Sequence, residues 1–218
     1  MIFPYSLLNP TAFLGSTELI GLEHNQALDD LPETNSNFCT VKVNDSVLIY
    51  TGGLGSSFVI SKAMYMKGSL GQDWIRDQDM WQARLAHMCG VLNIDGKSYL
   101  VVTGGTDFNQ VLKSTEIMDL SLDNKHWIPG PDLPDPFMSG TMISSPRLDA
   151  LYVLGGENQD ERDRKRFNDK IFKLSCPNGI RSCHWTEVPK KLKHFRTSHV
   201  AMLIPKNLTF CSTPPSND

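Results

Sequence analysis

The side chains that could do chemistry in this chain are spread thinly. Six histidines are present, His24, His87, His126, His184, His194 and His199. Two of them fall in matching tetrapeptides, Arg84-Leu85-Ala86-His87 and Arg196-Thr197-Ser198-His199, a repetition that points to a shared structural role rather than a metal site. Aspartates and glutamates are scattered at no spacing that singles out an acid–base pair. The sequence has no nucleophile elbow, no phosphate-cradling loop, no HExxH and no paired CxxC. A hydrolase has no residues to stand on. We therefore assign no catalytic, cofactor-binding or metal-ligating residue and expect no cofactor.

Cysteine and asparagine chemistry is better placed. Cys176 and Cys183 bracket CPNGIRSC, where Pro, Asn and Gly favour a turn that could bring the sulfurs together as a disulfide or leave two free thiols. Cys39 and Cys89 sit in apolar runs and read as small buried hydrophobes. Asn44-Asp45-Ser46 and Asn207-Leu208-Thr209 are glycosylation triplets, so Asn44 and Asn207 are acceptors if the chain enters a secretory pathway.

The bulk numbers exclude some partners. A formal charge of -3 over 218 residues gives no general pull toward nucleic acid or an anionic membrane. Every apolar run is broken well short of the roughly 18 residues a spanning helix needs. The first 15 residues carry Pro4, Asn9 and Pro10 and no basic residue ahead of their apolar part, which is not the pattern of a signal peptide.

The elements that must position any site come in a repeat. Gly-Gly ends three apolar runs, at Gly52 and Gly53, Gly104 and Gly105, and Gly155 and Gly156. The first glycines lie about 50 residues apart. Each pair is followed by a variable polar loop, a short alternating run (SKAMYM, STEIMDL, DKIFKL) and then a tryptophan, at Trp74, Trp127 and Trp185. The runs are short, rich in Val, Ile, Leu and Tyr, and bounded by Gly, Pro, Asn and Asp, which predicts strands and turns rather than helices. Each period holds about four strands. Gly-Gly would allow close backbone packing, and each tryptophan would fill the wedge between successive sheets.

This pattern resembles the kelch-repeat family, and especially the secreted kelch-like proteins of invertebrates. Residues 82–134, with ARLAHM, YLVVTGG, KSTEIMDL and KHWIPGPDLP, match best. Residues 135–192 follow closely and 33–81 more weakly. Partial repeats at 15–32 and 193–211 flank them, with a disordered tail expected over 212–218. The resemblance implies an all-β, kelch-type β-propeller that is partial or open, with about three full four-stranded blades plus split terminal strands. It also implies a non-catalytic module that binds a protein partner, not nucleic acid, through inter-strand loops. The loops 54–58, 106–113 and 157–168, variable in length against fixed strands, are the expected contact surface. No BTB or BACK region precedes the repeats, but a fragment of an intracellular ubiquitin-ligase adaptor is an alternative. So is a fragment of a copper enzyme like galactose oxidase, whose site needs two His, two Tyr and a Cys. The resemblance favours an extracellular location, with the cytoplasm as the alternative.

Overall fold

The computed structural model describes residues 17–20, 25–28, 30–32, 35–44, 47–68, 73–159 and 165–204. The described residues contain no α-helix and are built from antiparallel sheets. A hairpin of β1 (Thr17–Ile20) and β2 (Asn25–Leu28) comes first. Strand β3 (Asn35–Ser36) then pairs with β6 (Leu54–Gly55). The first four-stranded sheet runs β4 (Cys39–Lys42), β5 (Leu48–Thr51), β7 (Met64–Lys67), β8 (Trp74–Arg76). The second runs β9 (Met88–Ile94), β10 (Lys97–Thr103), β11 (Thr115–Asp119), β12 (Trp127–Pro129). The third runs β13 (Thr141–Ser144), β14 (Ala150–Leu154), β17 (Ile171–Ser175), β18 (His184–Glu187). Strands β15 (Glu157–Gln159) and β16 (Lys165–Phe167) form a hairpin of their own.

Local chemistry sets these connections. Asp95 and Gly96 join β9 to β10 with φ of 50° and 77°. Two left-handed residues in a two-residue loop match the twist of the strands they connect, which is why Asp-Gly is favoured there. Burial follows position in the stack. The second sheet lies between the other two, so β9 and β10 bury nearly every residue and read as continuous apolar runs. The third sheet covers one side of it, and β17 alternates partly exposed with buried residues.

Two apolar clusters fill the spaces between sheets. One, including Ile49, Met64, Cys89, Leu100 and Trp127, lies between the first and second sheets. The other, including Met88, Leu92, Val101, Leu151, Phe172 and Trp185, lies between the second and third. Trp127 and Trp185 each face the preceding sheet and hydrogen-bond to the link before their own sheet. Trp127 Nε1 donates to the Gln78 carbonyl at 2.9 Å, and Trp185 Nε1 to the Pro131 carbonyl at 3.0 Å. Trp74 packs on the other face of the first sheet, edge-on to Tyr50 at 5.8 Å.

The sheets are joined at the glycine pairs. All six of these glycines have positive φ, between 62° and 101°. The second glycine of each pair donates its N–H to the residue leading into the next unit: Gly53 to Arg84 O at 2.9 Å, Gly105 to Phe137 O at 2.8 Å, and Gly156 to Arg196 O at 2.7 Å. A side chain on the first glycine would strike that same carbonyl in every case, at 2.5 Å for Gly52 and Gly155 and closer still for Gly104. Two residues further on, a second set of bonds repeats. Ala86 N–H donates to Asn37 O, Ser139 N–H to Ala86 O and Ser198 N–H to Ser139 O, at 2.7–2.8 Å. These four residues all have φ of 50–57°. Together they form an arc of backbone hydrogen bonds linking successive units.

Three expectations need correction. Cys39 and Cys89 are disulfide-bonded, tying β4 of the first sheet to β9 of the second across 50 residues. Cys39 lies two residues past Asn37 and Cys89 three past Ala86. The same two positions in the next pair of sheets are Met88 and Met142, which share one cluster. The disulfide thus takes a slot that is otherwise filled by apolar side chains. The segment expected as a loop at 157–168 is largely the β15–β16 hairpin, because alternating residues on both arms find ladder partners in each other. Residues 195–204, expected to continue as a strand, run without one, since no ladder partner flanks them among the described residues.

Gly104 and Gly96 separate the two costs of a side chain at positive φ. Gly96 has nothing within 4 Å of a built Cβ, whereas Gly104 meets backbone. Gly96→Ala should cost about 1–2 kcal/mol from conformation alone. Gly104→Ala should cost at least about 3 kcal/mol, because a clash that the sheets must move to relieve adds to it. Urea denaturation of the two variants measures the difference, and equal losses would remove the joint its role.

Candidate interaction face

The loops after the glycine pairs and the links between sheets emerge at the same end of the structure. They are tied there by bridges between Leu85 and Thr106 and between Met138 and Glu157. The buried group that holds this end of the second sheet is Arg84. Its guanidinium donates to the Gly104 carbonyl at 2.8 Å, to Ser114 O and Oγ at 3.2 Å each, and to Glu116 Oε1 at 2.7 Å. Both side chains are sealed from solvent, at 0% and 4% exposure. Burial lowers the Arg84 pKa, opposed by the Glu116 carboxylate. Further hydrogen bonds offset the cost of burying an ion pair. Here Glu116 also accepts the backbone N–H groups of Trp81 and Gln82.

The carbonyl of each first glycine receives a side-chain donor. Asn35 serves Gly52 at 3.2 Å, Arg84 serves Gly104, and Asn168 serves Gly155 at 3.1 Å. In the third unit Phe137 stands where the others have Asn35 and Arg84 and has nothing to donate, so Asn168 reaches in from the opposite side. This side-chain layer holds the loops from beneath.

Above it, large apolar side chains stand in solvent. Phe58 is 72% exposed, Val59 64%, Phe108 62% and Phe167 47%, one aromatic for each loop expected to make contact. The links add Trp81 at 61% and Phe195 at 63%. Phe167 and Phe195 stack with centroids 5.4 Å apart. Phe58 and Phe108 have φ of 60° and 71°, a costly conformation for a bulky residue. The Phe108 loop is fixed by its own hydrogen bonds. Asp107 Oδ1 accepts from the N–H of Asn109 and Gln110, Thr106 Oγ1 accepts from Phe108 N–H, and Gln82 Nε2 donates to Asp107 Oδ2. These aromatics are therefore held out by a built scaffold. Sequence reasoning placed the loops but missed Phe58, Trp81, Phe108 and Phe195; the available signal was a lone aromatic in each otherwise polar loop or link.

The other residues singled out in sequence are dispersed. The six glycines, Trp127 and Trp185 lie at the joints between units, and Trp74 packs on Tyr50 of its own sheet. Cys176 and Cys183 are disulfide-bonded around a single 3-10 turn, Ile180–Ser182. Asn44 is exposed at the opposite end from the aromatics, and Asn207 lies outside the described residues. Among the described residues no three His, Cys, Asp or Glu side chains are grouped to hold a metal, and no helix is long and apolar enough to cross a membrane. His87 and His199 occupy matching places, each with its ring under the first glycine of a pair, Gly52 and Gly155.

No protein-family model and no curated protein sequence matches this chain. Among solved structures it is similar to that of YjhT, with a TM-score of 0.66 at 15% sequence identity. The match covers 84% of this chain and 64% of that one. The chain thus spans a little under two thirds of the length of that structure, and at this identity the likeness concerns the fold alone.

His87 makes the joint sensitive to acid. Its ring is buried, Nε2 lies 2.8 Å from Thr51 Oγ1, and Nδ1 has no partner among the described residues. Burial, reinforced by the Arg84 charge, lowers its pKa from the ordinary 6.5 to about 3. Between those values the unfolded chain binds a proton that the folded one refuses. The stability is therefore complete above about pH 6.5 and falls as pH drops toward 3. His87→Gln removes that titration. The stability difference between wild type and variant should shift against the wild type by roughly 2 kcal/mol between pH 7.5 and 4.5. Parallel pH profiles in chemical denaturation would contradict this.

Proposed function

We propose that this chain is a non-catalytic kelch-repeat interaction module, its sheets arranged radially as the blades of an incomplete propeller. It binds a protein partner through the end that carries the glycine-pair loops. The observation that carries this reading is the set of exposed aromatics on one end, Phe58, Trp81, Phe108, Phe167 and Phe195, each between 47% and 72% exposed. Aromatic anchors set in a polar rim are the chemistry of protein interfaces. The preorganised Phe108 loop lowers the ordering cost of binding. The repeated glycine and tryptophan geometry supports the kelch assignment. The two disulfides support an extracellular or secretory-lumen location, where such bonds persist.

The test is a pair of surface variants compared in partner capture by quantitative mass spectrometry. Phe58→Ser with Phe108→Ser should weaken capture of the specific partner at least about tenfold, in line with loss of two interface anchors. Thermal stability should fall far less than capture, because both rings are largely exposed. Leu122→Ser, in the turn at the opposite end, should leave capture intact. Equal capture by all three proteins would refute the assignment of this face.

A further inference from the structure

We propose that Asn44 carries an N-linked oligosaccharide and that the cleft beside it receives the first sugar of that chain. The proposal rests on the secretory location argued above. Asn44 is exposed just past the end of β4, next to the Val43 N–H bond to Val47 O at 2.9 Å. It opens the triplet Asn44-Asp45-Ser46, the acceptor pattern for N-glycosylation, which falls on exposed residues.

The second observation is the cleft. A cavity of about 240 Å³ lies between the first and second sheets at this end, and Asn44 itself forms part of its wall. That volume is below the ~300 Å³ at which sites for drug-sized ligands begin, so it suits one ring rather than a branched chain. Val43, Val47, Met66 and Leu120 supply apolar walls, and Ser98 and Ser121 supply hydroxyls. Ser98 Oγ donates to Asn93 Oδ1 at 2.9 Å, and Ser121 Oγ to Asp119 Oδ1 at 2.5 Å. Their protons are committed and their lone pairs remain to accept from a ligand. An N-acetylhexosamine matches this lining. Its acetyl methyl and the C–H face of its ring meet the aliphatic walls, and its hydroxyl and amide protons meet the serine oxygens.

The modifying step balances without any redox partner. The donor is a lipid diphosphate-linked oligosaccharide. Asn44 Nδ2 forms a bond to C1 of the terminal N-acetylglucosamine, the C1–O bond to the lipid diphosphate breaks, and the amide nitrogen gives up one proton.

The experiment uses the full chain secreted from eukaryotic cells behind an added leader. Non-reducing intact mass and thermal unfolding are read on the same preparation. Asn44→Gln and Ser46→Ala should each remove the mass of one glycan. An endoglycosidase that leaves a single N-acetylglucosamine should not change Tm. An amidase that removes that last sugar should lower Tm by about 2–4 °C. The Ser46→Ala protein, which never receives a glycan and keeps the asparagine, should melt with the fully stripped protein. An unmodified Asn44 in protein whose Cys39–Cys89 and Cys176–Cys183 disulfides have formed would overturn the site itself. A glycan whose complete removal leaves Tm unchanged would overturn the role of the cleft. Free thiols at Cys39, Cys89, Cys176 and Cys183 in protein from its own cells would overturn the compartment, and the glycan with it.

Discussion

The whole arrangement depends on one short backbone contact, the hydrogen bond from the second glycine of each pair to a carbonyl of the segment that follows its sheet. The bond brings two chains so close that the neighbouring glycine cannot carry a side chain. Its geometry also demands positive φ at two successive residues, which only glycine adopts without strain. It is made three times, at Gly53, Gly105 and Gly156. Because the contact is backbone to backbone, it fixes position and direction whatever the surrounding side chains are. That is how sheets as different as the buried second and the half-exposed third come to be stacked in one way.

The other layers follow from it. Once the links are pinned at the glycines, Ala86, Ser139 and Ser198 are held in left-handed backbone and bond from one unit to the next. The tryptophans then close the far side of each joint, and the carbonyls left at the first glycines are covered by Asn35, Arg84 and Asn168. The same pinning gathers every glycine-pair loop at one end. The scaffold covers the first-glycine carbonyls with side-chain donors beneath that end and exposes aromatics above it. At the opposite end the cleft beside Asn44 lies between two sheets rather than on a loop platform.

What could be read in the sequence was whatever the backbone dictates. Gly-Gly, the alternating runs and the spaced tryptophans are local signatures of strands, turns and joints, and they placed the three sheets correctly. Contacts set by the packing of one unit on another were harder to see. Cys39 and Cys89 each sit in an apolar run that gives no local sign of pairing, although their separation of 50 residues is close to the repeat itself. The bond of Arg84 to Glu116 likewise joins residues 32 apart that no helical or strand period brings together. Phe58 and Phe108 became meaningful only when their exposure and shared end were known. The 157–168 segment looked like a loop because the three-residue arms of β15 and β16, ENQ and KRF, carry no apolar alternation to mark them as strands.

Native-state hydrogen exchange at the joints tests the central contact most directly. If the glycine bonds hold the sheets together, the amides of Gly53 and Gly105, with those of Ala86 and Ser139, will open only with the same free energy as the buried amides of β10. Exchange at these four amides near the rate of an unstructured peptide, while β10 stays protected, would mean that the sheets are stable singly and that the joints do not bind them.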